Sequence, residues 1–245
     1  MLVTADSPLR RLPIGLDREQ TLFLDGIRVS AEMLDLAYSR QVETLLRLAE
    51  PDCAQDDRAI GVVSALQDAW SVVDCTHRLR SLFRRIPRVK KKAPTIQVFN
   101  RATPDAEALR HIIQHLDSEI PKILRLGVPA WGTLQWLVLL DRAKFRMRTC
   151  TIAAGTAFDA EHPVQNPEGK TMRATIDHVL LTAGGISLDL SDVFYEVTKV
   201  VRMVEKTLAE RFAQLPTYGS DMVTTLEIEL AAEDEPDGAP TAATG

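Results

Sequence analysis

Apolar residues recur every three or four positions along much of the first half of the chain. They form one stripe over residues 24–48, a second over 58–85 and a third over 103–127. This period predicts three amphipathic helices, each with one face turned towards a core. The predicted inward positions of the second helix include Ile60, Val63, Leu66, Trp70, Val73 and His77. Three such helices pack well as an antiparallel bundle, which is the predicted fold of residues 21–127.

The apolar period changes from 3.6 to 2 after Pro129. Alternation of this kind is typical of half-buried β-strands. The predicted extended segments are a short piece at 96–99 and strands at 133–140, 145–151, 172–181, 186–190 and 222–230. The third and fourth of these strands are expected to form a hairpin that turns at Gly184 and Gly185. A long helix is predicted from about Ser191 to Leu215.

These elements predict an α+β fold class, with an N-terminal antiparallel helical bundle and a C-terminal antiparallel sheet that carries one long helix. The predicted divisions are an irregular N-terminal arm at 1–20, the bundle at 21–127, the α+β region at 128–231 and a disordered acidic tail at 232–245. The net charge is −5, and much of it lies in that tail. The rest of the chain is therefore nearly neutral, so it has no overall positive charge that would attract nucleic acid.

The composition and the missing sequence motifs disfavour several classes of protein. Hydrophobic residues make up 45% and charged residues 26% of the chain, as in ordinary globular proteins. The phosphate-binding, dinucleotide-binding and G-x-S-x-G motifs are missing, so ATPase, dehydrogenase and α/β-hydrolase activities are disfavoured and no cofactor is predicted. Three widely spaced cysteines and the lack of a long apolar segment favour a cytoplasmic protein without a membrane partner.

Arg110 and His115 stand five residues apart on the third predicted helix, as Arg-x4-His. An imidazole can accept and donate protons near neutral pH, and a fixed guanidinium can stabilise charge on a phosphate under attack by a 2′-hydroxyl. On a continuous helix the two side chains would be about 140° apart and would flank the polar face, with His111 between them. The spacing therefore permits a role in RNA cleavage.

This segment resembles the HEPN superfamily of helical-bundle proteins, whose ribonuclease members carry Arg-x(4–6)-His, often with a polar residue directly after the Arg, as His111 is here. The resemblance covers residues 21–127 at most. It implies a homodimer that brings two motifs together over RNA, and a metal-independent endoribonuclease, frequently a toxin or defence effector with an inhibitory protein partner. It also implies a polar residue from an earlier helix, for which Asp74 or Asp68 is the candidate.

Several alternatives stand beside this hypothesis. Arg110 and His115 are also consistent with a solvated helix surface, in which case the chain is a non-catalytic dimerisation or binding module. His111 and His115 also have the i, i+4 spacing of two metal ligands, to which His77 would add a third. A second Arg-x4-His is formed by Arg173 and His178 and lies on a predicted strand. The first motif is preferred to it only because the first lies on a predicted helix.

Two basic segments are candidates for phosphate contacts. The connector after the second helix is predicted either to bind RNA or to be a solvated loop; its cations are Arg84, Arg85, Arg88, Lys90, Lys91 and Lys92. Four further cations alternate along a strand entry: Arg142, Lys144, Arg146 and Arg148. Cross-strand pairing with Glu227 and Glu229 on the predicted last strand is the simplest explanation of that second pattern.

Overall fold

The structure is a computed structural model that describes residues 1–88, 93–155, 164–219 and 221–228. Helices and strands follow one another as α1 (Arg18–Leu48), α2 (Gln55–Arg85), α3 (Pro94–Ala102), α4 (Asp105–Gln114), α5 (Leu116–Leu126), β1 (Thr133–Asp141), β2 (Arg146–Ala153), β3 (Ile176–Ala183), β4 (Ile186–Asp189) and α6 (Leu190–Phe212). The predicted α+β class is confirmed, with helices first and an antiparallel sheet with a long helix second. No helix among these residues is long and apolar enough to span a bilayer.

The first two predicted helices are confirmed and pack against each other as α1 and α2. α1 begins six residues earlier than the apolar pattern indicates, because the carboxylate of Asp17 caps it by accepting a hydrogen bond from the backbone N–H of Gln20 at 2.8 Å. The helices approach closely near Gly61, where a β-carbon would lie 2.9 Å from a methyl carbon of Leu48. α4 packs on α2, whereas α3 packs mainly on α6.

The third predicted helix is not continuous, and the prediction of an extended piece at 96–99 is wrong. That piece lies inside α3, where Pro94 occupies the first turn and Ile96 and Phe99 face the core. α4 ends at Gln114, and the carbonyl of His115 then accepts a hydrogen bond from Ser118 Oγ at 2.9 Å as α5 begins. Short apolar runs fit a helix or a strand equally well, so packing decides between them.

The sheet has the strand order β2-β1-β3-β4, and every pair is antiparallel. The predicted hairpin is confirmed: β3 and β4 turn at Gly184 and Gly185, whose φ angles are 56° and 83°. The predicted last strand is wrong for residues 221–228, which form no strand, while Glu229 and Leu230 lie outside the described residues. The preceding segment pairs instead with the N-terminal arm, since Tyr218 N donates to Leu12 O at 2.8 Å.

One hydrophobic core joins the two halves of the chain. α6 packs on α1, α2, α3 and β3, and its valines at 193, 197, 200 and 201 are buried. The predicted arm at 1–20 is shorter, because α1 begins at Arg18; residues 1–17 form no helix or strand, and Leu2, Val3, Leu9 and Leu12 enter the same core. The core therefore runs across the predicted boundary at 127/128, and the predicted acidic tail at 232–245 lies outside the described residues.

A buried ion pair anchors the start of β3. Asp177 is fully buried and accepts hydrogen bonds from Arg173 Nη2 at 2.7 Å and Nε at 3.0 Å, while Arg173 also reaches the more exposed Asp192. Burial alone would raise the pKa of Asp177, but the hydrogen bonds from Arg173 and from the backbone of His178 outweigh it and hold the pKa below its ordinary value. The charged carboxylate is therefore part of the folded state.

We expect Asp177→Asn to lower the free energy of unfolding at pH 7 by about 2–3 kcal/mol, because it removes one partner of a buried ion pair. The folded-state pKa of Asp177 lies below the unfolded one, so its contribution is present above the unfolded value and is lost as the pH falls through the folded value, below about 4. Urea unfolding at pH 7 and pH 3 measures both effects. Asp192→Asn is the matched control and should cost less; equal losses would contradict this assignment.

Candidate functional site

Arg80 holds the beginning of α4 against α2. Its buried guanidinium donates to the carbonyl of Asn100 at 2.7 Å and to Thr103 Oγ1 at 2.8 Å, at the point where α3 ends. α4 then begins with Asp105 and Glu107 in its first turn, where acidic side chains interact favourably with the helix dipole. α4 packs on α2 with Leu109 buried between α4 and the core. The residue that follows Leu109 therefore lies beside α2.

The next residue, Arg110, forms an ion pair with Asp74 on α2. Arg110 Nε lies 2.8 Å from Asp74 Oδ1, and Arg78 Nη2 lies 2.6 Å from Asp74 Oδ2. Two guanidiniums thus share one carboxylate, which leaves a net positive charge. The side chains of Arg110 and Asp74 are 29% and 31% exposed. Within the described part of the chain the Nη groups of Arg110 have no hydrogen-bond partner, so this edge can bind an anion.

The two histidines of the motif form a separate pair. The rings of His111 and His115 have centroids 4.6 Å apart, with an angle of 48° between their planes, and both residues are exposed. Among the described residues, no hydrogen bond or ion pair joins Arg110 to His115. The angle expected for a continuous helix does not apply, because α4 ends one residue before His115. One copy of the chain therefore presents a fixed guanidinium and a pair of imidazoles as two distinct groups.

His77 lies on α2 close to this ion pair and is half-buried. Burial lowers its pKa, and the positive charge of Arg110 lowers it further. Of the two carboxylates proposed from the sequence, Asp74 contacts Arg110, whereas Asp68 pairs with Arg40 on α1. Sequence reasoning overlooked Arg78, although its i, i+4 spacing from Asp74 indicates such an ion pair.

The basic connector is only partly described. Arg84 and Arg85 belong to the last turn of α2, and Arg84 lies 3.5 Å from Glu107. Arg88 lies 3.3 Å from Asp17 across the start of α1. Arg85 is exposed. The remaining candidates, Lys90, Lys91 and Lys92, lie outside the described residues.

The metal alternative lacks its third ligand. Within the described residues, no three His, Cys, Asp or Glu side chains come together in a way that could hold a metal ion. His77 therefore does not complete a three-histidine site with His111 and His115. The histidine pair by itself offers two nitrogen ligands, which is fewer than a structural or catalytic zinc site uses.

An apolar cavity of about 560 Å³ opens beside Asp74. Its lining comes from α1, α2 and the segments just before β1 and just after β2: Met33, Val63, Leu66, Gln67, Trp70, Ser71, Asp74, Cys75, Trp131, Ala154 and Gly155. The prediction that Ile60 and Val63 point inward is wrong, because the apolar stripe of α2 is wider than the surface that α1 covers. Burial raises the pKa of the Cys75 thiol to about 11, so it is no nucleophile at neutral pH.

The second Arg-x4-His pair is engaged in structural contacts. Arg173 is held by Asp177 and Asp192, and its guanidinium lies 4.1 Å from the centre of the Tyr195 ring. His178 Nδ1 lies 3.3 Å from Asp189 Oδ2, and its Nε2 lies 3.1 Å from the carbonyl of Thr171. Both side chains thus hold the sheet to the start of α6.

Comparison of the whole chain with protein-family models, curated proteins and solved structures finds no match. The argument for function therefore rests on the geometry of these residues.

We expect Arg110→Met to raise the pKa of His77, because it removes a positive charge that disfavours protonation of that ring. The titration of the His77 ring protons, followed by NMR, measures this. Arg101→Met, on an exposed position of α3, is the control and should leave the titration unchanged. An unaltered His77 pKa in Arg110→Met would contradict the placement of Arg110 against α2.

Proposed function

We propose that the chain is a homodimeric, metal-independent endoribonuclease of the HEPN type, in which Arg110 and His115 from two copies form one site, with His111 and Asp74 in support. The observation that carries the proposal is the Arg110–Asp74 ion pair. Asp74 binds the guanidinium through Nε, which fixes its orientation and leaves the Nη edge accessible. An arginine presented in this way is suited to bind a phosphate through two parallel hydrogen bonds.

The imidazoles supply the proton transfers that such a reaction needs. One ring accepts the proton of the 2′-hydroxyl while the O2′–P bond forms, and another donates a proton to the 5′-oxygen as the P–O5′ bond breaks. His111 and His115 are exposed and adjacent, so each copy offers two such groups. Because the histidine pair does not contact Arg110 within one chain, the proposal requires the second copy to bring guanidinium and imidazole together.

The proposed setting is the cytoplasm, in the role of a toxin or defence effector that an inhibitory protein partner keeps in check. The free cysteines Cys53, Cys75 and Cys150 support a reducing compartment. The basic residues of the connector after α2 would contact the RNA backbone in this proposal. Among them, Arg85 and Arg88 are exposed.

We expect Arg110→Ala and His115→Ala each to reduce cleavage of a single-stranded RNA by at least about 100-fold, since one removes charge stabilisation and the other a proton-transfer group. Initial rates on a fluorescent RNA measure this, with and without EDTA, which should have no effect. Arg101→Ala, purified in the same way, is the matched control. Equal activity in wild type, Arg110→Ala and His115→Ala would eliminate the proposal.

The second candidate function is a non-catalytic dimerisation or binding module. The apolar cavity beside Asp74 supports it, because Val63 on its rim is 66% exposed and Trp131 is 49% exposed. An exposed apolar surface of this kind is typical of an interaction site.

This second candidate predicts that Val63→Asp weakens self-association by about 10-fold or more, because a charge would have to be buried in the apolar contact. Sedimentation equilibrium over a range of concentrations measures the dissociation constant. Val98→Asp, at an exposed position of α3, is the matched control and should change nothing. A dimer that dissociates in Val63→Asp, together with a wild type that does not cleave RNA, would favour the module over the ribonuclease.

A further inference from the structure

The hairpin between β1 and β2 ends in a tip with a fixed shape. Asp141 Oδ1 accepts hydrogen bonds from the backbone N–H groups of Ala143 at 2.9 Å and Lys144 at 3.1 Å. Such Asx contacts stabilise a tight turn without help from the rest of the fold. The tip is therefore preorganised although it projects from the sheet.

Phe145 occupies a position in this tip that neither packing nor backbone preference explains. Its φ angle is 50°, in the left-handed region that glycine and asparagine favour, and its side chain is 84% exposed. A large aromatic residue in that conformation costs about 1 kcal/mol relative to glycine and buries almost nothing in return. Strained, exposed residues of this sort are found preferentially at binding sites.

Three cations lie close to Phe145 in the sequence of the tip. Arg142, Lys144 and Arg146 are all exposed, and the only ion pair among them within the described residues is that of Lys144 with Asp141, at 3.8 Å. Arg148 is different, because it donates to the carbonyl of Ala49 at the end of α1.

The predicted pairing with Glu227, which would explain these charges, is not formed among the described residues, and Glu229 lies outside them. The sequence predicts that Glu227 lies across from them on a neighbouring strand, but residues 221–228 form no strand. The cations at the tip are thus available to a ligand.

We infer that the β1–β2 tip binds single-stranded nucleic acid, with the Phe145 ring stacked on a base and the flanking cations on phosphates. Stacking platforms combined with positive charge are the general means of binding single strands, since every base has a face that an aromatic ring can cover. A membrane surface fits less well, because the tip offers only Phe145 and Ala143 as apolar groups. This inference goes beyond the proposed function, since it requires neither Arg110 nor RNA cleavage.

The experiment measures binding of fluorescent 12-mers by the full chain, using dT12 and 2′-O-methyl U12, which has no free 2′-hydroxyl and cannot be cleaved by its attack. We expect Phe145→Gly to weaken binding about 5- to 100-fold, the equivalent of one lost stacked base. Glycine favours the left-handed backbone at this position, so the variant keeps its fold and its thermal stability does not fall. Phe145→Tyr, which preserves the ring, is the matched control and should bind like the wild type.

The same assay tests the contribution of the cations and distinguishes a nucleic acid from a lipid surface as the ligand. Arg146→Gln should weaken binding and make the slope of log K against log salt shallower by about 0.7, as expected for one lost phosphate contact. Arg101→Ala, at an exposed position of α3 outside both proposed sites, should bind as tightly as the wild type. Binding of either oligomer that weakens in Phe145→Gly and not in Phe145→Tyr supports the inference, and comparison of the two oligomers shows whether RNA or DNA is preferred. Unchanged affinity in Phe145→Gly, or binding of phosphatidylserine vesicles in place of both oligomers, would overturn it.

Discussion

The apolar face of α6 is the constraint on which the arrangement of the other elements depends. This helix is in contact with the sheet on one side and with the helices of the first half on another, so neither half can bury its core without it. Tyr38 on α1 stacks on Phe194 with ring centroids 4.4 Å apart and donates a hydrogen bond to Ser191 Oγ at 2.9 Å. These contacts fix α1 relative to the first turn of α6, and through α2 they fix the surface on which α4 lies.

The chain contains the Arg-x4-His spacing twice. The two copies differ in how many hydrogen-bonding groups of the Arg and the His stay accessible. In the strand copy, Arg173 uses its Nε and both Nη groups on carboxylates, and the ring of His178 is bonded at both nitrogens. In the helical copy, Arg110 uses only Nε in hydrogen bonds with the described residues, and the ring of His115 remains exposed. The first copy is a structural anchor. The second copy has the unused hydrogen-bonding capacity that a binding or catalytic role needs.

Some apolar and basic residues follow a regular pattern in the sequence but find no partner in the part of the fold that the structure describes. The apolar stripe of α2 is wider than its contact with α1, which leaves Val63 on the rim of a cavity. The alternating cations around Phe145 are predicted to pair across a strand, yet that strand does not form among the described residues. Both features are exposed in the folded chain and are therefore accessible to a partner.

The sequence by itself determined the long helices, the antiparallel hairpins and the α+β class, because apolar periodicity and turn residues act over a few neighbours. Asp17 and the Gly184–Gly185 turn are examples in which local chemistry sets an element's end. Only the tertiary structure decided that the chain breaks at His115, that Arg110 turns towards Asp74, and that residues 221–228 stay out of the sheet. These outcomes depend on contacts between residues far apart in the chain, and neither spacing nor propensity carries that information.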